Sequence, residues 1–581
     1  MKKIILLLSL STIVLLFNSC DPSENTSSDA NFSENFGASV SRDFIGQVVD
    51  ADNNPIQGVA VKIGTTSVQT DINGVFIINE AFVHEKFAFI TAKKAGYIDG
   101  SRSMVPTSGK NNVRIMLIQD TPLQTIQSGV SSEVSIYSGT KVTFDGAFMD
   151  ENGNAYSGAV AVSMFHLTPS DANIDKLMPG MLYAQNENGQ AGVLETYGMM
   201  HVELKGSNGQ KLQIATGHTA QITMRIDNSQ LATCPSTIPL WHFDEENGYW
   251  KQEGSATKNG NYYVGNVSHF SWWNCDSFSS TTYLTVTVVD GNGSPLSNVG
   301  VSLVVNSTNF NSYIQYTDNN GQVSGLIPSN QALTFNAHNS CGIFYSSNIG
   351  SFSNNTNLTN ITIPNNSTFK STTVKGTLLK CDNTNVTNGY ILMNYGNYKL
   401  LKAVTNGEFS FNTTYCASLT NFTLKGIDYE NLQTTDSMSY NFEESITNIG
   451  NLMACNTITE FVSYKMDDKP IVFYTVNVGV FAQSSTFTVY AQNDSSEYLN
   501  ITGYTFTPGI YTSNQFTAGG QGNNIYIVPN VANTMQFNLN NFGQVGEYLD
   551  LTFNGTFTLN AAFPNNGTHT ITGTVHVLRD N

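Results

Sequence analysis

The sequence predicts an all-β protein made of several β-sandwich modules in tandem. Runs that alternate between apolar and polar residues recur along the chain, as in residues 283–289 and 568–577, and such alternation is typical of half-buried strands. Charged residues make up only 12% of the chain and aromatic residues 11%, a composition that suits strands. At 581 residues the chain is too long for one hydrophobic core, so we expect about three to five domains.

The first 19 residues have the composition of a signal peptide. Two lysines follow Met1, and residues 4–17 are predominantly apolar. These 14 residues fall short of the roughly 20 that a membrane-spanning helix needs. We therefore expect residues 1–19 to be a lipoprotein-type signal peptide that is removed on export.

Cys20 follows Ser19 at the end of the apolar run. This arrangement resembles the bacterial lipobox, although Phe17 and Asn18 depart from its preferred aliphatic and small residues. The resemblance implies a diacylglyceryl group on Cys20, an N-terminus acylated by a chain such as palmitate, and an outer-membrane lipoprotein of a Gram-negative bacterium that faces the periplasm or the cell surface. The alternative is an ordinary cleaved signal peptide with an incidental cysteine. Residues 20–41 contain hardly any aliphatic side chains, which predicts a flexible tether.

Residues 42–117, the first sandwich, have regularly placed turn residues. Asp50 ends one alternating run, and Gly58 opens the next after a polar turn. Asp71 and Gly74 bracket a tight turn before another apolar run, because glycine accepts the positive φ that such turns need. This pattern resembles the carboxypeptidase regulatory-like domain, which is related to transthyretin and to bacterial collagen-adhesin B repeats. The resemblance implies a seven-stranded, Ig-like or transthyretin-like β-sandwich.

The same spacing recurs further along the chain. Asp290 and the turn at residues 317–321 repeat it, which predicts a second regulatory-like sandwich at residues 280–365. Gly376 and the turn at residues 405–407 predict a third, degenerate sandwich at residues 366–455. Repetition of one unit favours an extended array of modules. Residues 456–581 end in two alternating runs about an Asn-Gly turn, which predicts a C-terminal sandwich.

Residues 118–279, the β domain, contain all four tryptophans of the chain. The segment resembles the region that follows a regulatory-like module in cartilage intermediate layer-type extracellular proteins, and this resemblance allows a ZU5-like sandwich. Trp272 and Trp273 are adjacent, so on a strand they face opposite sides, and this arrangement allows at least one of them to be exposed. The candidate ligand-binding residues would stack against a sugar: Trp241, Tyr249, Trp250, Trp272 and Trp273. The alternative is that these rings fill the core.

Two short segments of the β domain contain the candidate metal ligands His242, Asp244 and His269. Imidazole and carboxylate groups are common zinc ligands, and pairing of the two segments would bring the histidines together. The alternative, which we favour, is that these residues are the polar rim of hairpins. We therefore predict no metal and no cofactor.

Six cysteines follow Cys20, and none of them belongs to a CxxC pair. An even number of cysteines in an exported protein is compatible with three disulfides. We expect Cys234 to pair with Cys275, because the two bracket one part of the β domain, and free buried thiols are the alternative. The candidates for disulfide bonding are Cys234, Cys275, Cys341, Cys381, Cys416 and Cys455.

Composition and motifs exclude several classes of function. A net charge of −18 with 26 basic residues is unsuited to nucleic acid, whose phosphates require Lys and Arg. The sequence has no HExxH helix, GxSxG elbow or P-loop, so we predict no catalytic residues and no enzyme. We expect a non-enzymatic, lipid-anchored cell-envelope or surface protein whose modules present a binding surface for a protein or a glycan. The alternatives are an accessory lipoprotein of an outer-membrane complex and, more remotely, a metal-dependent hydrolase that uses His242 and His269.

Overall fold

The computed structural model describes residues 34–579, apart from short gaps at residues 340–341, 365–368, 397, 458–459, 468–471, 475–476, 493–496, 522–523, 561 and 564–565. The predicted signal peptide, residues 20–33 of the predicted tether, Cys20 and Cys341 lie outside the described residues. The all-β fold predicted from the alternating runs is confirmed, and several sheets carry nearly all of the regular structure. A short helix, α1, spans Ile174–Leu177. Among the described residues, no helix has both the length and the apolar character needed to cross a membrane.

The first sandwich consists of two sheets whose opening strand begins at Ser39. Its strands are β1 Ser39–Val49, β2 Ala60–Ile63, β3 Thr66–Gln69, β4 Val75–His84, β5 Ala88–Lys93, β6 Gly100–Met104 and β7 Lys110–Met116. One sheet has the order β4-β1-β7, with β1 parallel to β7, and the other has the order β3-β2-β5-β6. Phe44, Val61 and Phe76 lie in the core between the sheets, because alternate residues of each strand point inward.

The β domain is built around a 13-stranded sheet. Its strands are β8 Gln124–Gln127, β9 Ser132–Ser135, β10 Lys141–Phe144, β11 Phe148–Asp150, β12 Ala159–Leu167, β13 Tyr183–Gln185, β14 Ala191–Gly206, β15 Lys211–Ile214, β16 Ala220–Arg225, β17 Thr237–Asp244, β18 Tyr249–Asn259, β19 Tyr262–Val267 and β20 Trp272–Ser279. The order along the main path is β11-β15-β14-β20-β17-β18-β19-β16-β10-β9. Hydrophobic cores cover both faces of this sheet, one around Trp273 and the other around Trp241 and Trp250.

The second and third sandwiches share one feature with the first, a parallel pairing between an early strand and a late strand. The second contains β21 Thr281–Asp290, β22 Gly300–Val305, β23 Phe310–Asn311, β24 Gln315–Tyr316, β25 Gln322–Pro328, β26 Leu333–Asn339, β27 Gly342–Ile349 and β28 Thr356–Ile363. The third contains β29 Phe369–Lys380, β30 Asn388–Tyr395, β31 Tyr398–Thr405, β32 Glu408–Cys416, β33 Asn421–Asp428, β34 Gln433–Thr434, β35 Met438–Asn441 and β36 Ser445–Ala454, followed by β37 Asn456–Thr457. The parallel pairs are β21 with β28 and β29 with β36.

The C-terminal sandwich packs two sheets around a core of its own. Its strands are β38 Phe461–Met466, β39 Val472–Tyr474, β40 Val478–Ala482, β41 Phe487–Gln492, β42 Tyr498–Gly503, β43 Gly509–Tyr511, β44 Phe516–Gln521, β45 Ile525–Ile527, β46 Gln536–Phe542, β47 Tyr548–Leu559 and β48 Gly567–Leu578. One sheet has the order β39-β38-β48-β47-β46-β43. The other has the order β40-β41-β42-β44-β45.

The repeated turn sequence folds in the same way in three parts of the chain. In each copy, Oδ1 of an aspartate accepts hydrogen bonds from the backbone N–H groups two and four residues later. The aspartates are Asp50, Asp150 and Asp290, with N···O distances of 2.8 to 2.9 Å. The residue before each aspartate also pairs with the residue five after it, as in the bridge between Val49 and Pro55. The β domain therefore contains, after β11, the same turn that follows the opening strands of the first and second sandwiches.

The first sandwich contacts three other parts of the chain. Ser103 donates a hydrogen bond to a backbone carbonyl group of the β domain at 2.6 Å. Thr107 donates to Oδ2 of Asp318 in the second sandwich at 2.7 Å. The hydroxyl group of Tyr390 in the third sandwich donates to Oδ2 of Asp71. The extended array favoured by the repeat is therefore wrong, because these modules pack around the first sandwich.

Candidate functional site

The aromatic side chains that we predicted as a sugar-stacking platform are buried. Trp241, Trp250 and Trp273 are 0% exposed, Trp272 is 3% exposed and Tyr249 is 8% exposed. Trp272 and Trp273 do point to opposite sides of β20, as adjacent residues on a strand must. Both sides of the sheet are covered, however, so neither ring reaches solvent. The prediction of a tryptophan platform was wrong, and the alternative that these rings fill the core is correct.

Neighbouring modules supply part of the cover over these rings. Phe89 of the first sandwich and Tyr313 of the second pack against the core that contains Trp241 and Trp250. Tyr249 lies in a separate aromatic cluster with Phe36, whose ring centroid is 6.2 Å from that of Tyr249. The face of the β domain that looked available for a ligand in the sequence is therefore an interface within the chain.

The histidine–glutamate cluster consists of His242, Glu253 and His269. His242 lies on β17, Glu253 on β18, and His269 in the segment that enters β20. Oε2 of Glu253 is 3.8 Å from Nε2 of His242 and 3.4 Å from Nε2 of His269. The two imidazole rings are perpendicular, with centroids 4.7 Å apart. Pairing of the strands thus brings the two predicted histidines together around a carboxylate.

Asp244 is not part of this cluster, so its place among the predicted metal ligands was wrong. Its Oδ2 pairs with Nζ of Lys251 at 2.5 Å, and its Oδ1 accepts a hydrogen bond from the backbone of Asn247 at 2.9 Å. Glu253 takes its place. The hairpin register could have revealed this, because Lys251 lies opposite His242 and Glu253 follows two residues later on the same face.

The electrostatics of the cluster favour a neutral imidazole beside an ionised carboxylate. Partial burial, and then the neighbouring His269, lower the pKa of His242. Partial burial opposes ionisation of Glu253, but a hydrogen bond from Ser268 and the two imidazoles outweigh it and lower the pKa of Glu253. Imidazole nitrogen and carboxylate oxygen are therefore both present in the forms that bind metal cations.

The cysteines correct a further prediction. Cys234 and Cys275 are both free, so the predicted Cys234–Cys275 disulfide is wrong. Cys275 is buried within the sheet, whereas the Cys234 thiol lies in a turn and donates to a carbonyl group of the same turn at 3.4 Å. Cys381 and Cys455 form a disulfide that joins the two ends of the third sandwich, and Cys416 is disulfide-bonded as well.

One sheet of the C-terminal sandwich has an exposed face that the sequence analysis missed. Strands β40, β41, β42, β44 and β45 contain no Asp, Glu, Lys, Arg or His. Their inward residues fill the core, and four outward aromatic residues are exposed: Phe481 by 50%, Tyr490 by 44%, Tyr498 by 37% and Tyr526 by 44%. We call this outward side of the five strands the tyrosine face. The tyrosine face could have been predicted from the sequence, because five alternating segments there contain no charged residue.

Amide side chains lie between the tyrosines of this face. One row across the strands consists of Tyr490, Asn500, Gly519 and Tyr526, in that order on β41, β42, β44 and β45. In the next row Tyr498 lies between Gln492 on β41 and Gln521 on β44.

Two glycines shape the tyrosine face. A methyl group on Gly479 would overlap the phenol ring of Tyr490, so that ring lies against the backbone of β40. A methyl group on Gly519 would meet no other atom, which leaves an open gap between Asn500 and Tyr526. The face therefore combines an aromatic ring held flat on the sheet with a trough beside it.

No family model matches the chain. Cartilage intermediate layer protein 2 of mouse is 26% identical over 133 residues, which are 23% of this chain and 11% of that protein. The human protein of the same name is 27% identical over 125 residues, which are 21% of this chain and 10% of that protein. The chain thus spans only about a tenth of the length of these curated relatives.

The solved structures similar to this chain include bacterial pilins. A streptococcal ancillary pilin is 13% identical, and the match covers 40% of this chain and 98% of the pilin with a TM-score of 0.13. The shaft pilin spaA of Lactobacillus rhamnosus GG is 9% identical, and the match covers 31% of this chain and 99% of the pilin with a TM-score of 0.16. Similarities at these scores say nothing about what this chain binds.

Proposed function

We propose that the chain is a non-enzymatic, lipid-anchored cell-envelope protein that binds neutral carbohydrate on the tyrosine face. The observation that carries the proposal is the composition of this face. Five adjacent strands without a charged side chain expose three tyrosines, one phenylalanine and several amides in a chain whose net charge is −18. Charge is thus excluded from one surface of an otherwise acidic protein.

The chemistry of a neutral glycan matches this surface. A sugar ring offers a face of polarised C–H groups, which stack on aromatic rings, and a rim of hydroxyl groups. Tyr490 and Tyr498 are diagonal neighbours on adjacent strands, and their rings give large, rigid contact areas at a low cost in conformational entropy. Asn500 and Gln521 can each donate and accept hydrogen bonds from hydroxyl groups. An anionic polymer would find no counter-charge on these strands.

A glycan fits this face better than a protein partner does. Protein interfaces of useful affinity have a contiguous apolar centre from which water is excluded. On the tyrosine face Gln492 and Gln521 flank Tyr498 across the strands, and Asn500 lies opposite Tyr490, so amide groups interrupt the aromatic surface. Aromatic rings with polar groups beside them suit a ligand whose own polar and apolar groups alternate.

The membrane attachment in this proposal depends on Cys20. Phe36 is buried against the first sandwich and the β domain, and it lies 16 residues after Cys20. A chain of this length reaches at most roughly 55 Å when fully extended. Lipidation of Cys20 would therefore hold the modules close to an envelope membrane, where polysaccharides are abundant ligands.

Affinity electrophoresis tests the glycan part of the proposal. The full chain is run in native gels that contain β-glucan, xylan or mannan, with anionic alginate as the comparison. We expect at least one neutral polysaccharide to retard the protein, and the double variant Tyr490→Ala/Tyr498→Ala to lose at least tenfold in affinity because each ring contributes about 1 kcal/mol or more. Tyr137→Ala, which removes a fully exposed tyrosine of the β domain, is the matched control.

Three results would contradict the glycan proposal. The first is migration that none of the neutral polysaccharides changes, and the second is equal retardation of the double variant and the wild type. Stronger retardation by alginate than by every neutral polysaccharide would likewise exclude a neutral ligand. The Tyr137→Ala control separates loss of the tyrosine face from a general effect of removing a surface ring.

Cell fractionation tests the anchor separately. Cys20→Ala removes the only thiol in the first 200 residues, so we expect the protein to move from the membrane fraction to the soluble fraction. Cys234→Ala, which removes a free cysteine of the β domain, should leave the protein in the membrane fraction. Retention of the Cys20→Ala variant in membranes would show that the lipobox assignment is wrong.

A further inference from the structure

The histidine–glutamate cluster has the composition and geometry of a transition-metal site. Its ligand atoms come from β17, β18 and the segment before β20, and all three lie within 4.8 Å of one another. We infer that His242, Glu253 and His269 bind a divalent transition metal, with Zn²⁺ as the ion that this set of ligands suits best. This inference is independent of the proposed glycan site, which lies on the C-terminal sandwich.

The distances require little rearrangement for zinc. Zinc in proteins is tetrahedral, with bonds of about 2.0 to 2.2 Å to imidazole nitrogen and carboxylate oxygen, so neighbouring ligand atoms are about 3.3 to 3.6 Å apart. The observed distances from Oε2 of Glu253 are 3.4 Å to His269 and 3.8 Å to His242. The two imidazole nitrogens lie within 4.8 Å of each other, so rotation of the histidine and glutamate side chains would bring all three ligand atoms onto one ion.

Surrounding residues hold the ligands in place. The ring of Trp273 lies beneath both imidazoles, with centroid distances of 5.7 Å to His242 and 5.2 Å to His269. Trp273 Nε1 also donates to the backbone carbonyl group of His269 at 2.9 Å. Ser268 Oγ donates to the other oxygen of Glu253 at 2.7 Å, which leaves Oε2 directed at the histidines. Such outer contacts orient ligands in known metal sites.

The cluster is partly exposed to solvent, so it would form a metal site that is open to solvent. The side chains are 19%, 42% and 34% exposed for His242, Glu253 and His269, so the cluster is at the rim of the core and opens to solvent. Three protein ligands leave at least one coordination position for water or for a group from a binding partner. The nearby Lys251 does not compete for Glu253, because its ammonium group pairs with Asp244.

Zinc titration of the full chain tests the inference. The protein is purified in detergent, treated with EDTA and titrated with Zn²⁺ alone by isothermal calorimetry. We expect the wild-type chain to bind one zinc ion. Compared with the wild type, the double variant His242→Gln/His269→Gln should bind zinc at least 100-fold more weakly, and Glu253→Gln should bind it at least tenfold more weakly. The matched control is His218→Gln, because His218 is an exposed histidine of the same domain whose Nδ1 lies 2.6 Å from Asp145. This control should bind zinc like the wild type.

X-ray absorption at the zinc edge gives a second measurement that needs no variant. The wild-type spectrum should show nitrogen and oxygen neighbours at about 2.0 to 2.2 Å with the multiple scattering of two imidazoles, and no sulfur at about 2.3 Å. Sulfur would instead indicate binding by the free thiol of Cys234. Absence of zinc binding, unchanged binding in the double histidine variant, or a spectrum without imidazole would overturn the inference.

Discussion

The carboxyl group of Asp71 makes the contact between the first and third sandwiches dependent on pH. Its side chain is buried, and Oδ1 accepts hydrogen bonds from the backbone N–H groups of Asn73 and Val75 at 2.9 Å each. Oδ2 accepts the hydroxyl hydrogen of Tyr390 from the third sandwich. Burial raises the pKa of Asp71 to about 6, although these hydrogen bonds act in the opposite direction.

The size and sign of the effect follow from this pKa. The folded protein holds the Asp71 proton more tightly than the unfolded chain, whose carboxyl group has a pKa of 3.8. The stabilising contribution is therefore complete below pH 3.8 and is lost as the pH rises through about 6. A difference of about 2 pKa units corresponds to about 3 kcal/mol of unfolding free energy at neutral pH.

Urea unfolding of wild type and Asp71→Asn between pH 4 and pH 7.5 measures this contribution. The asparagine keeps the Oδ1 acceptor for the turn and carries no charge, and its amide can donate to the Tyr390 hydroxyl group. We expect the free energy of unfolding of the wild type to fall by about 2.5 kcal/mol relative to that of the variant across this range, because the unfolded carboxyl group is already partly ionised at pH 4. The comparison cancels the titration of all other groups, because both proteins share them.

Tyr390→Phe changes the same contact from the side of the third sandwich and leaves the Asp71 carboxyl group in place. Its hydroxyl group lowers the pKa of Asp71, so removing it should raise that pKa further and extend the loss of stability to higher pH. The unfolding transition of the first and third sandwiches is followed by hydrogen exchange of their peptides, since a multidomain chain need not unfold in one step. Parallel pH profiles for wild type and Asp71→Asn would refute the reasoning.

Three further predictions concern the cores and the cysteines. Replacing Cys381 and Cys455 by alanine should lower the unfolding free energy of the third sandwich by about 4 kcal/mol, because the disulfide closes a loop with a sequence separation of 74, and urea unfolding measures the change. Trp250→Ala should lower the unfolding free energy of the β domain by about 3 to 5 kcal/mol in urea, because the ring is fully buried. A decrease of less than about 1 kcal/mol would contradict this prediction. A maleimide should label Cys275 only after denaturation, since burial raises the pKa of this thiol and shields it, whereas the half-buried Cys234 should react in the native protein.

The fold class could be predicted from the sequence because it depends on local patterns. Alternation of apolar and polar residues with a period of two identifies strands in all-β proteins. In the repeated turn, the aspartate side chain accepts hydrogen bonds from backbone N–H groups of the same turn, so the turn is encoded locally. Asp50 and Asp290 illustrate this, since each closes its turn with backbone groups no more than four residues away. Information of this kind is contained within a few consecutive residues.

The candidate site could be predicted only in part, because alternation tells which residues share a face but not what covers that face. Trp241 and Trp250 point away from the larger core of the β domain, and residues of other modules such as Phe89 bury them. Pairing of the two segments was enough to predict that His242 and His269 lie close together. To predict that Glu253 joins them, the register of the β17–β18 hairpin must be known. Long-range packing and register depend on the whole chain.

A later turn of the sandwiches, closed by Asp71 in the first and by Asp318 in the second, contributes to the packing of the modules. In both the first and second sandwiches, one oxygen of the turn aspartate closes the turn and the other binds another module. Asp71 binds Tyr390 of the third sandwich, and Asp318 binds Thr107 of the first. In a solenoid each unit contacts only its neighbours in the sequence, yet the first sandwich here contacts the third. These two aspartates therefore contribute to docking as well as to folding, while Phe89 and Tyr313 of the neighbouring modules help to cover the rings of the predicted platform. The tyrosine face of the C-terminal sandwich remains exposed beside this assembly, as the proposed glycan binding requires.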